Sequence, residues 1–404
     1  MKKLLLINVS ANTGSTGRIA EEIGESAIAN GFDSYFAYGR KEEGSECHLM
    51  RIGCDFDNKI HVLQTRLFDN HCFASNWATR QFIKEIDRLR PNVINIHNIH
   101  GYYANLEVLL NYLSKKGIPI VWTLHDCWTF TGHCSYFDAV HCDRWKSHCH
   151  NCPNKYGYPT SLFLDSSRRN YDRKKALFSK MNNITFVTPS EWLQNLVRES
   201  YLSIFPVKVI NNGVDVDVFK PCVSTEIRKR LLISEHQRII LGVASIWDRR
   251  KGLDDFIKLC DAFKDDKILL VGLNDEQISF IPDEIIPVMR TENVNELAEL
   301  YSIADVFVNP TYVDNFPTTN IEALACGTPV VTYDTGGSPE TVDSETGLVV
   351  EQGNITLLAE AIKTILLKDR EQQRISCRAR ALRLYDKRER FNEYVDLFNQ
   401  LINK

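Results

Sequence analysis

The sequence predicts an α/β protein made of two domains, each built on a parallel β-sheet. Short apolar runs alternate with longer amphipathic stretches along most of the chain, which is typical of βαβ units. The 404 residues exceed the roughly 100–200 residues of one ordinary domain. Around Asn211-Asn212-Gly213 the alternation stops and then starts again. We therefore expect one α/β domain on each side of this stretch.

The first domain is predicted to span residues 1–210. Its N-terminal apolar run is shorter than the hydrophobic region of a signal peptide and is interrupted by Asn8, so it predicts a buried strand. Further short runs predict strands deeper in the domain, with helices between them. The predicted strands cover residues 4–9, 34–38, 93–97, 120–124 and 184–187.

The second domain is predicted to span residues 211–385 and to repeat the same alternation. Its predicted strands cover residues 239–243, 268–271, 285–289, 306–308, 330–333 and 348–350. Helix-forming residues dominate from 357 to 402, with apolar residues at helical spacing. We expect the chain to end in an amphipathic helix over residues 386–404 that packs on the body of the protein.

The composition argues against two classes of protein, dedicated nucleic-acid binders and membrane-spanning proteins. The chain has 48 Lys and Arg against 52 Asp and Glu, a net charge of −4, so it lacks the basic excess of a dedicated nucleic-acid binder. No run approaches the roughly 18 apolar residues of a membrane span. We expect a cytoplasmic protein with reduced thiols.

Two loops that follow predicted strands could bind an anion. Gly14 and Gly17 come after the first strand, where small residues let the backbone approach a ligand at the start of a helix. Arg249, Arg250 and Lys251 follow the strand at 239–243. Three adjacent cations at a helix start repel one another and oppose the helix dipole, so an anionic ligand is favoured there.

A third loop precedes a short predicted helix and a Gly-Thr-Pro step into the next strand. Asp314 is followed eight positions later by Glu322. We expect Thr318 and Thr319 to cap the helix while its free N–H groups face a phosphate. Glu322 is expected to accept hydrogen bonds from ribose hydroxyls.

Five cysteines lie within the segment 126–165, which interrupts the first domain. Cys134, Cys142, Cys149 and Cys152 have spacings that fit a closed, structural zinc site, with His133, His148 and His150 as alternative ligands. A disulfide or redox role and free, packed thiols remain open. Residues 143–175 hold eight Lys or Arg against three acids, together with aromatic residues. That blend suits single-stranded nucleic acid, an anionic membrane surface or a lipid diphosphate.

The acidic pair of the third loop closely resembles the signature of the retaining glycosyltransferases of family 4. The resemblance extends over nearly the whole chain: residues 212–215, 250–252 and 323–330 are similar to further elements of the family, and His125 after the fourth strand matches its active-site His. It implies the GT-B fold, two facing Rossmann-like domains with a C-terminal helix crossing back to the N-terminal domain. The segment around the cysteines is similar to a bacterial branch tied to capsule, exopolysaccharide or O-antigen assembly.

The resemblance also implies a division of roles. The N-terminal domain would bind the acceptor and the C-terminal domain a UDP- or GDP-linked sugar, without a catalytic metal. Catalytic roles would fall to His125, Lys251 and Asp314. The acceptor would be a glycan or a lipid-linked saccharide, met at the inner face of a membrane, and no nucleic acid would bind. The donor-binding residues would be Gly14, Gly17, Arg249, Arg250, Lys251, Phe316, Thr318, Thr319 and Glu322.

Two positions depart from the family pattern. Asp314 stands where Glu is usual, and Ser245 replaces an Arg that commonly contacts a donor phosphate, so Arg249 or Arg250 must compensate. Asp215-Val-Asp217 matches the metal-binding Asp-x-Asp of the other major glycosyltransferase fold, but its place between the domains favours a structural or capping use.

Two other functions compete with the transferase. A GT-B epimerase or phosphorylase lacks a supporting signature. The remaining alternative is a zinc-stapled protein that binds nucleic acid or a partner and retains a relict nucleotide cleft.

Overall fold

The computed structural model describes residues 1–222 and 225–403. The chain separates into two compact units. The first comprises Met1–Asn211 with Arg390–Lys404, and the second comprises Asn212–Glu389. The sequence places the corresponding boundaries at 210/211 and 385/386. Lys404, the last residue of the predicted C-terminal helix, lies outside the described residues.

The first unit is built on a seven-stranded parallel sheet of order β3-β2-β1-β4-β5-β6-β7. Its strands are β1 (Lys2–Asn8), β2 (Phe32–Tyr38), β3 (His48–Arg51), β4 (Val93–Ile96), β5 (Ile120–Thr123), β6 (Ile184–Thr188) and β7 (Val207–Val209). Its helices are α1 (Gly14–Ala29), α2 (Asp55–Phe68), α3 (Asn76–Leu89), α4 (Leu106–Leu113), α5 (Ser167–Phe178) and α6 (Glu191–Glu199).

Both faces of this sheet are covered, as the continuous apolar runs of its strands require. Along β1, Leu4 and Leu6 pack in a core with α1, whereas Leu5 and Ile7 point to the opposite face and pack with α3 and α4. All four side chains are fully buried. Successive side chains of β1 therefore contribute alternately to two separate cores, one on each face of the sheet.

The second unit has a six-stranded sheet of order β10-β9-β8-β11-β12-β13, also parallel. Its strands are β8 (Ile239–Val243), β9 (Lys267–Val271), β10 (Ile285–Val288), β11 (Val306–Asn309), β12 (Val330–Tyr333) and β13 (Gly347–Val350). Its helices are α7 (Thr225–Arg230), α8 (Leu253–Leu259), α9 (Asp275–Ile278), α10 (Val294–Ile303), α11 (Thr318–Ala325), α12 (Ile355–Leu367) and α13 (Arg370–Leu384).

The last helix, α14 (Lys387–Ile402), begins in the second unit and packs within the first. Phe398 is fully buried there, and its ring meets that of Phe32 edge to face at 6.2 Å. The Tyr394 hydroxyl lies 3.4 Å from Thr123 Oγ1. The expectation that the C-terminal helix returns to the N-terminal domain is thereby confirmed.

Three features of the fold differ from the sequence prediction. The sequence did not predict β3 or β7, because both are edge strands whose exposed or half-buried residues form no apolar run. The helix-forming stretch from residue 357 is divided into three helices, of which only the last was predicted as a separate element. One break follows Leu367, where Asp369 caps α13 by accepting from the Gln372 N–H, and the other follows Leu384.

Candidate functional site

A cation and a carboxylate meet where two neighbouring strands of the second sheet end. Lys251 follows β8 and Asp314 follows β11, and these strands lie side by side and parallel. The Lys251 Nζ is 2.7 Å from Asp314 Oδ2, and each side chain is between a fifth and a quarter exposed. The strand order thus brings together two predicted site residues at the carboxyl ends of the strands, where ligands of α/β proteins bind.

Backbone contacts fix Lys251 in place. Asp248 accepts a hydrogen bond from the Lys251 N–H (3.1 Å) and so caps the tight turn Arg249–Lys251. Gly252 then has φ +77°, and a Cβ there would lie 2.4 Å from Pro310 O. The Tyr312 N–H donates to Arg250 O at 2.8 Å, which ties the two loops together.

The Arg side chains of this loop remain available to an anion. Arg249 and Arg250 are exposed, and Arg250 Nε lies 3.8 Å from Asp248. Ser245, the departure from the family pattern, is exposed just after β8.

Helix α11 differs in detail from the prediction. Thr318 and Thr319 do not cap it. They are its first two residues, the N-cap is Pro317, and no side chain caps the helix. The first-turn N–H groups therefore lack a side-chain partner at the cap, which leaves this helix start suited to an anion.

Two other predicted donor residues have internal partners. Glu322 Oε2 accepts from the hydroxyl of Tyr301, a fully buried residue of α10 (2.9 Å). Phe316 is buried with its ring 5.9 Å from that of Tyr385, and its carbonyl accepts from Asn212 Nδ2. The Phe316 side chain therefore packs in the core and is not open to a ligand.

In the first unit, the two predicted glycines lie in the loop after β1. Gly14 opens α1 with φ +70° and has open space beside its Cα. At Gly17 an added Cβ would lie 3.0 Å from Ser10 O, so a side chain would press on the loop. The glycines thus serve different needs: Gly14 a turn, Gly17 a close contact.

His125 follows β5 and is held by a chain of hydrogen bonds. Asn95 Nδ2 donates to Val121 O, so its Oδ1 accepts from His97 Nε2 at 3.0 Å. The neutral His97 then accepts at Nδ1 from His125 Nε2 (2.9 Å), and the two rings stack 5.2 Å apart. This order of donors leaves Nδ1 of His125 as a hydrogen-bond acceptor.

Burial keeps these imidazoles neutral. Desolvation lowers the pKa of His125 to about 4 and holds that of His97 well below 6.5. Beside them, His100 Nε2 lies 2.9 Å from Asp126, and the Tyr136 hydroxyl donates to His125 O. Sequence reasoning missed Asn95 and His97, although a polar residue inside an apolar strand was a usable signal.

The four cysteines predicted to bind zinc line one small cavity of about 10 Å³. A hydrogen bond from Cys134 lowers the pKa of the Cys152 thiol to about 7, and the Gly132 N–H donates to Cys149 Sγ at 3.2 Å. All cysteines in the described part of the chain are free. Within residues 1–222 and 225–403, no group of three or more His, Cys, Asp or Glu is arranged to hold a metal ion.

The alternative histidine ligands have other partners. His133 Nδ1 lies 2.6 Å from Asp69 Oδ1, with both side chains fully buried. His148 Nε2 lies 2.8 Å from Asp172, and His150 Nδ1 approaches the His148 carbonyl. These contacts favour the cysteines over the histidines as candidate ligands.

The Asp-x-Asp sequence has structural partners. Asp215 Oδ1 accepts from the N–H groups of Asp217 and Val218, and its Oδ2 lies 2.9 Å from Lys387 Nζ. Asp217 lies 3.3 Å from Arg388. The two carboxylates therefore fix the turn that opens the second unit, as the sequence interpretation favoured.

Two family models match the chain. One, described as Glycosyltransferase Family 4, matches residues 16–218, half of the chain. The other, described as Glycosyl transferases group 1, matches residues 223–382. Together they include every predicted catalytic residue.

Individual relatives agree with the family models. The colanic acid biosynthesis glycosyl transferase WcaC of Escherichia coli (strain K12) is 23% identical over 434 aligned positions, covering 98% of this chain and 100% of WcaC. Sucrose-phosphate synthase of Thermosynechococcus elongatus has a TM-score of 0.76 at 20% identity, covering 100% of both chains. Anabaena HepE in complex with UDP has a TM-score of 0.66 at 15% identity, covering 99% of this chain and 100% of HepE.

These matches confirm the predicted fold class, with two Rossmann-like units of the GT-B type. They also support the transferase prediction over the nucleic-acid or partner-binding alternative. In the described part of the chain, no helix has both the length and the apolar character needed to cross a bilayer.

Proposed function

Because this chain belongs to Glycosyltransferase Family 4, we propose that it moves a sugar from a UDP- or GDP-linked donor to a glycan acceptor of surface polysaccharide assembly. The observation that supports this most is the Lys251–Asp314 ion pair beside the start of α11. The ion pair supplies a cation and a carboxylate, and the start of α11 supplies helix N–H groups, all at the carboxyl ends of the strands of one sheet. Those are the groups needed to hold a diphosphate and a sugar.

In the proposed reaction, negative charge grows on the diphosphate as its bond to the sugar anomeric carbon breaks. Lys251, one or both of Arg249 and Arg250, and the first-turn N–H groups of α11 stabilise that charge without rearrangement. These cations make a catalytic metal unnecessary. Glu322 binds the ribose, and Lys251 exchanges part of its contact with Asp314 for phosphate.

The acceptor hydroxyl attacks the anomeric carbon from the face that the diphosphate leaves, so the configuration is retained. The hydroxyl proton passes to the departing phosphate oxygen. No covalent enzyme intermediate is assigned. In the first unit, the neutral His125 offers its Nδ1 as an acceptor to a substrate hydroxyl. In the second unit, Asp314 contacts the transferred sugar.

We place the acceptor at a membrane. The family resemblance implies that the acceptor is a glycan or a lipid-linked saccharide. Residues 143–175 hold eight Lys or Arg against three acids, which suits an anionic membrane surface. The enzyme then works at the inner face of the membrane, on a lipid-linked saccharide.

Donor binding tests the proposed function. Glu322→Ala should abolish saturable binding of the nucleotide sugar that stabilises the wild-type protein in a thermal-shift panel of UDP- and GDP-sugars. At about 100 times its Kd a specific donor adds about 2.7 kcal/mol of stability. Glu360→Ala, which removes an exposed carboxylate from α12, is the matched control and should keep that stabilisation. Wild-type binding by Glu322→Ala, or no hit in the panel, would contradict the assignment.

We also propose that Cys134, Cys142, Cys149 and Cys152 hold one structural zinc ion. The cavity that they line has room for about one water-sized atom, and soft thiolates suit Zn²⁺. Because no metal-holding group is arranged in the described residues, ligation at about 2.3 Å requires these side chains to shift. Zinc would then stabilise a long, irregular segment.

Metal analysis tests the zinc site. Purified protein should contain about one equivalent of zinc, and Cys142→Ser should lower both the zinc content and the thermal midpoint. Cys260→Ser, at a buried cysteine of the second unit, should leave the zinc content unchanged. A zinc-free protein whose stability does not change in chelator would show that the thiols are free and packed. A mass lower by two hydrogen atoms per pair of cysteines would indicate disulfides instead.

A further inference from the structure

Helix α2 turns an apolar stripe towards solvent. Phe56, Ile60, Leu63 and Leu67 recur at i, i+4, i+7 and i+11, which places them along one face of a helix. Phe56 is 69% and Leu63 57% exposed, Ile60 is exposed, and Leu67 is half-buried. An amphipathic helix on a protein surface normally turns such a stripe inwards.

The opposite face of α2 is polar and buried, and it holds the helix in this orientation. Asn58 donates to Gly39 O at 2.9 Å. His61 Nδ1 contacts Ser75 Oγ at 2.8 Å, and its Nε2 accepts from the Cys72 N–H at 3.0 Å. These specific bonds fix the orientation, so the outward apolar stripe is part of the native structure.

A second apolar segment lies beside the C-terminal end of α2. The Leu162 N–H donates to Arg66 O at 2.8 Å, and Ser166 Oγ donates to Phe68 O at 3.0 Å. Phe163 between them is 67% exposed. We call the combined surface the apolar patch, and it comprises Phe56, Ile60, Leu63, Leu67, Phe68, Leu162, Phe163 and Leu164.

Cations outnumber acids on the two segments that carry the apolar patch, residues 55–68 and 155–169. Of the acids on the same segments, Asp57 accepts from the Cys54 N–H, Asp165 accepts from the Cys152 and Ser167 N–H groups, and Asp55 pairs with Arg51. Their charge is thus partly satisfied within the protein. The cations on these segments are Lys59, Arg66, Lys155, Arg168 and Arg169, of which all but the half-buried Lys155 are exposed.

We propose that the apolar patch docks this protein on the surface of a bilayer that contains anionic phospholipid. Helix α2 lies along the interface with Phe56, Ile60 and Leu63 among the lipid chains, and Phe163 inserts beside them. The surrounding cations meet the lipid phosphates, which gives charge complementarity. Large aromatic and aliphatic side chains next to Lys and Arg are the composition of an interfacial helix.

This docking specifies which surface meets the membrane in the proposed function. It rests on the membrane-side location proposed above but not on the transfer chemistry. The two proposals can therefore fail separately. A protein that binds vesicles through the apolar patch without binding any nucleotide sugar would lose the proposed function and keep the docking surface.

Vesicle co-sedimentation of the full chain tests the proposal. Wild-type protein should bind vesicles of phosphatidylcholine with phosphatidylglycerol, bind pure phosphatidylcholine vesicles weakly, and dissociate as salt is raised. The double variant Leu63→Ser/Phe163→Ser should lose about tenfold or more of its apparent vesicle affinity. Ile204→Ser/Phe280→Ser removes two comparably exposed apolar side chains elsewhere and should bind like wild type.

Two controls separate docking from misfolding and from self-association. Both double variants should keep the wild-type thermal midpoint and the wild-type donor response. The proposal is overturned if Leu63→Ser/Phe163→Ser binds anionic vesicles as wild type does. It is equally overturned if the wild type ignores vesicles and light scattering shows a dimer that this variant dissociates, because a second copy would then cover the apolar patch.

Discussion

Lys251 shows how a single side chain is prepared for a ligand before any ligand is bound. Its ammonium is partly buried and already paired with Asp314 at 2.7 Å, so the cost of removing its charge from water is partly offset. The backbone bond to Asp248 and the turn at Gly252 fix the start of its side chain. In the proposed reaction, a diphosphate that enters this site would therefore meet a cation already in position.

His61 makes the stability of the first unit depend on pH. Its Nε2 accepts from the Cys72 N–H, which only the neutral ring can do, and burial lowers its pKa to about 3 from 6.5. As the pH falls below 6.5, the unfolded chain binds a proton that the native chain refuses. The free energy of unfolding should therefore fall with pH from about 6.5 towards 3, by about 1.4 kcal/mol per pH unit for this group.

Urea unfolding between pH 6 and pH 5 measures this contribution. In His61→Gln the slope of the unfolding free energy against pH should be shallower by about 1.4 kcal/mol per pH unit, the contribution of one proton. His236→Gln, which removes an exposed imidazole of the second unit, should leave the slope nearly unchanged. An identical slope in wild type and His61→Gln would show that this ring does not remain neutral in the folded protein.

For the residues of the candidate site, the sequence predicted which side chains could bind a ligand better than it predicted which residues contact one another. The residue types of Lys251 and Glu322 pointed to anion and ribose binding, and the family resemblance implied that Asp314 lies near the sugar. The contact between Lys251 and Asp314, however, depends on strand order. The capping role of Thr318 was wrong, because the helix begins at that residue and not after it. Tyr301 was missed because the direction in which a helix residue points depends on packing that the sequence does not display.

In the turn that joins β8 to α8, the backbone conformation of Gly252 affects the position of the loop that carries Asp314. Gly252→Ala should destabilise the protein by more than the roughly 1–2 kcal/mol of a left-handed residue, because its Cβ would also lie 2.4 Å from Pro310 O. The loop after β11 must then move, and Asp314 with it. Urea unfolding should show the larger loss, and donor titration a weaker affinity.

Gly31 provides a matched control for that turn. It has φ +84° and nothing within 4 Å of its Cβ position, so Gly31→Ala incurs the backbone cost alone. Donor affinity should stay at the wild-type level. Equal losses of stability and unchanged donor binding in both variants would mean that the contact with Pro310 does not control the site.

Strands were predicted where burial on both faces leaves an apolar run, and they were missed at the sheet edges. All four residues of β11 are buried, whereas three of the four residues of β3 are exposed. Helix α2 shows a further limit. Its apolar spacing predicts a helix but not its orientation, and only the buried bonds of Asn58 and His61 show that the stripe faces outwards.

For the whole molecule, the start and the end of the second unit are joined to each other. The Val214 N–H donates to Tyr385 O at 2.8 Å, and the Lys387 N–H donates to Val214 O at 3.0 Å. Asp215 and Asp217 pair with Lys387 and Arg388 beside this bridge. The chain therefore enters and leaves this unit at one place, which lets a single helix return to the first unit.

That return makes the last helix part of the first unit's core, so a change near the C-terminus should act on the N-terminal sheet. Phe398→Ala removes a fully buried ring that meets Phe32 and should cost about 3–5 kcal/mol. Amide hydrogen exchange should accelerate in β1 and β2 and stay at the wild-type rate in β8 and β11. Leu367→Ala, at an exposed leucine of α12, should change stability by less than about 0.5 kcal/mol and leave all four strands protected. Faster exchange in β8 and β11 to the same extent would mean that the two units unfold as one. The inference that residues 390–402 of α14 stabilise only the first unit would then be wrong.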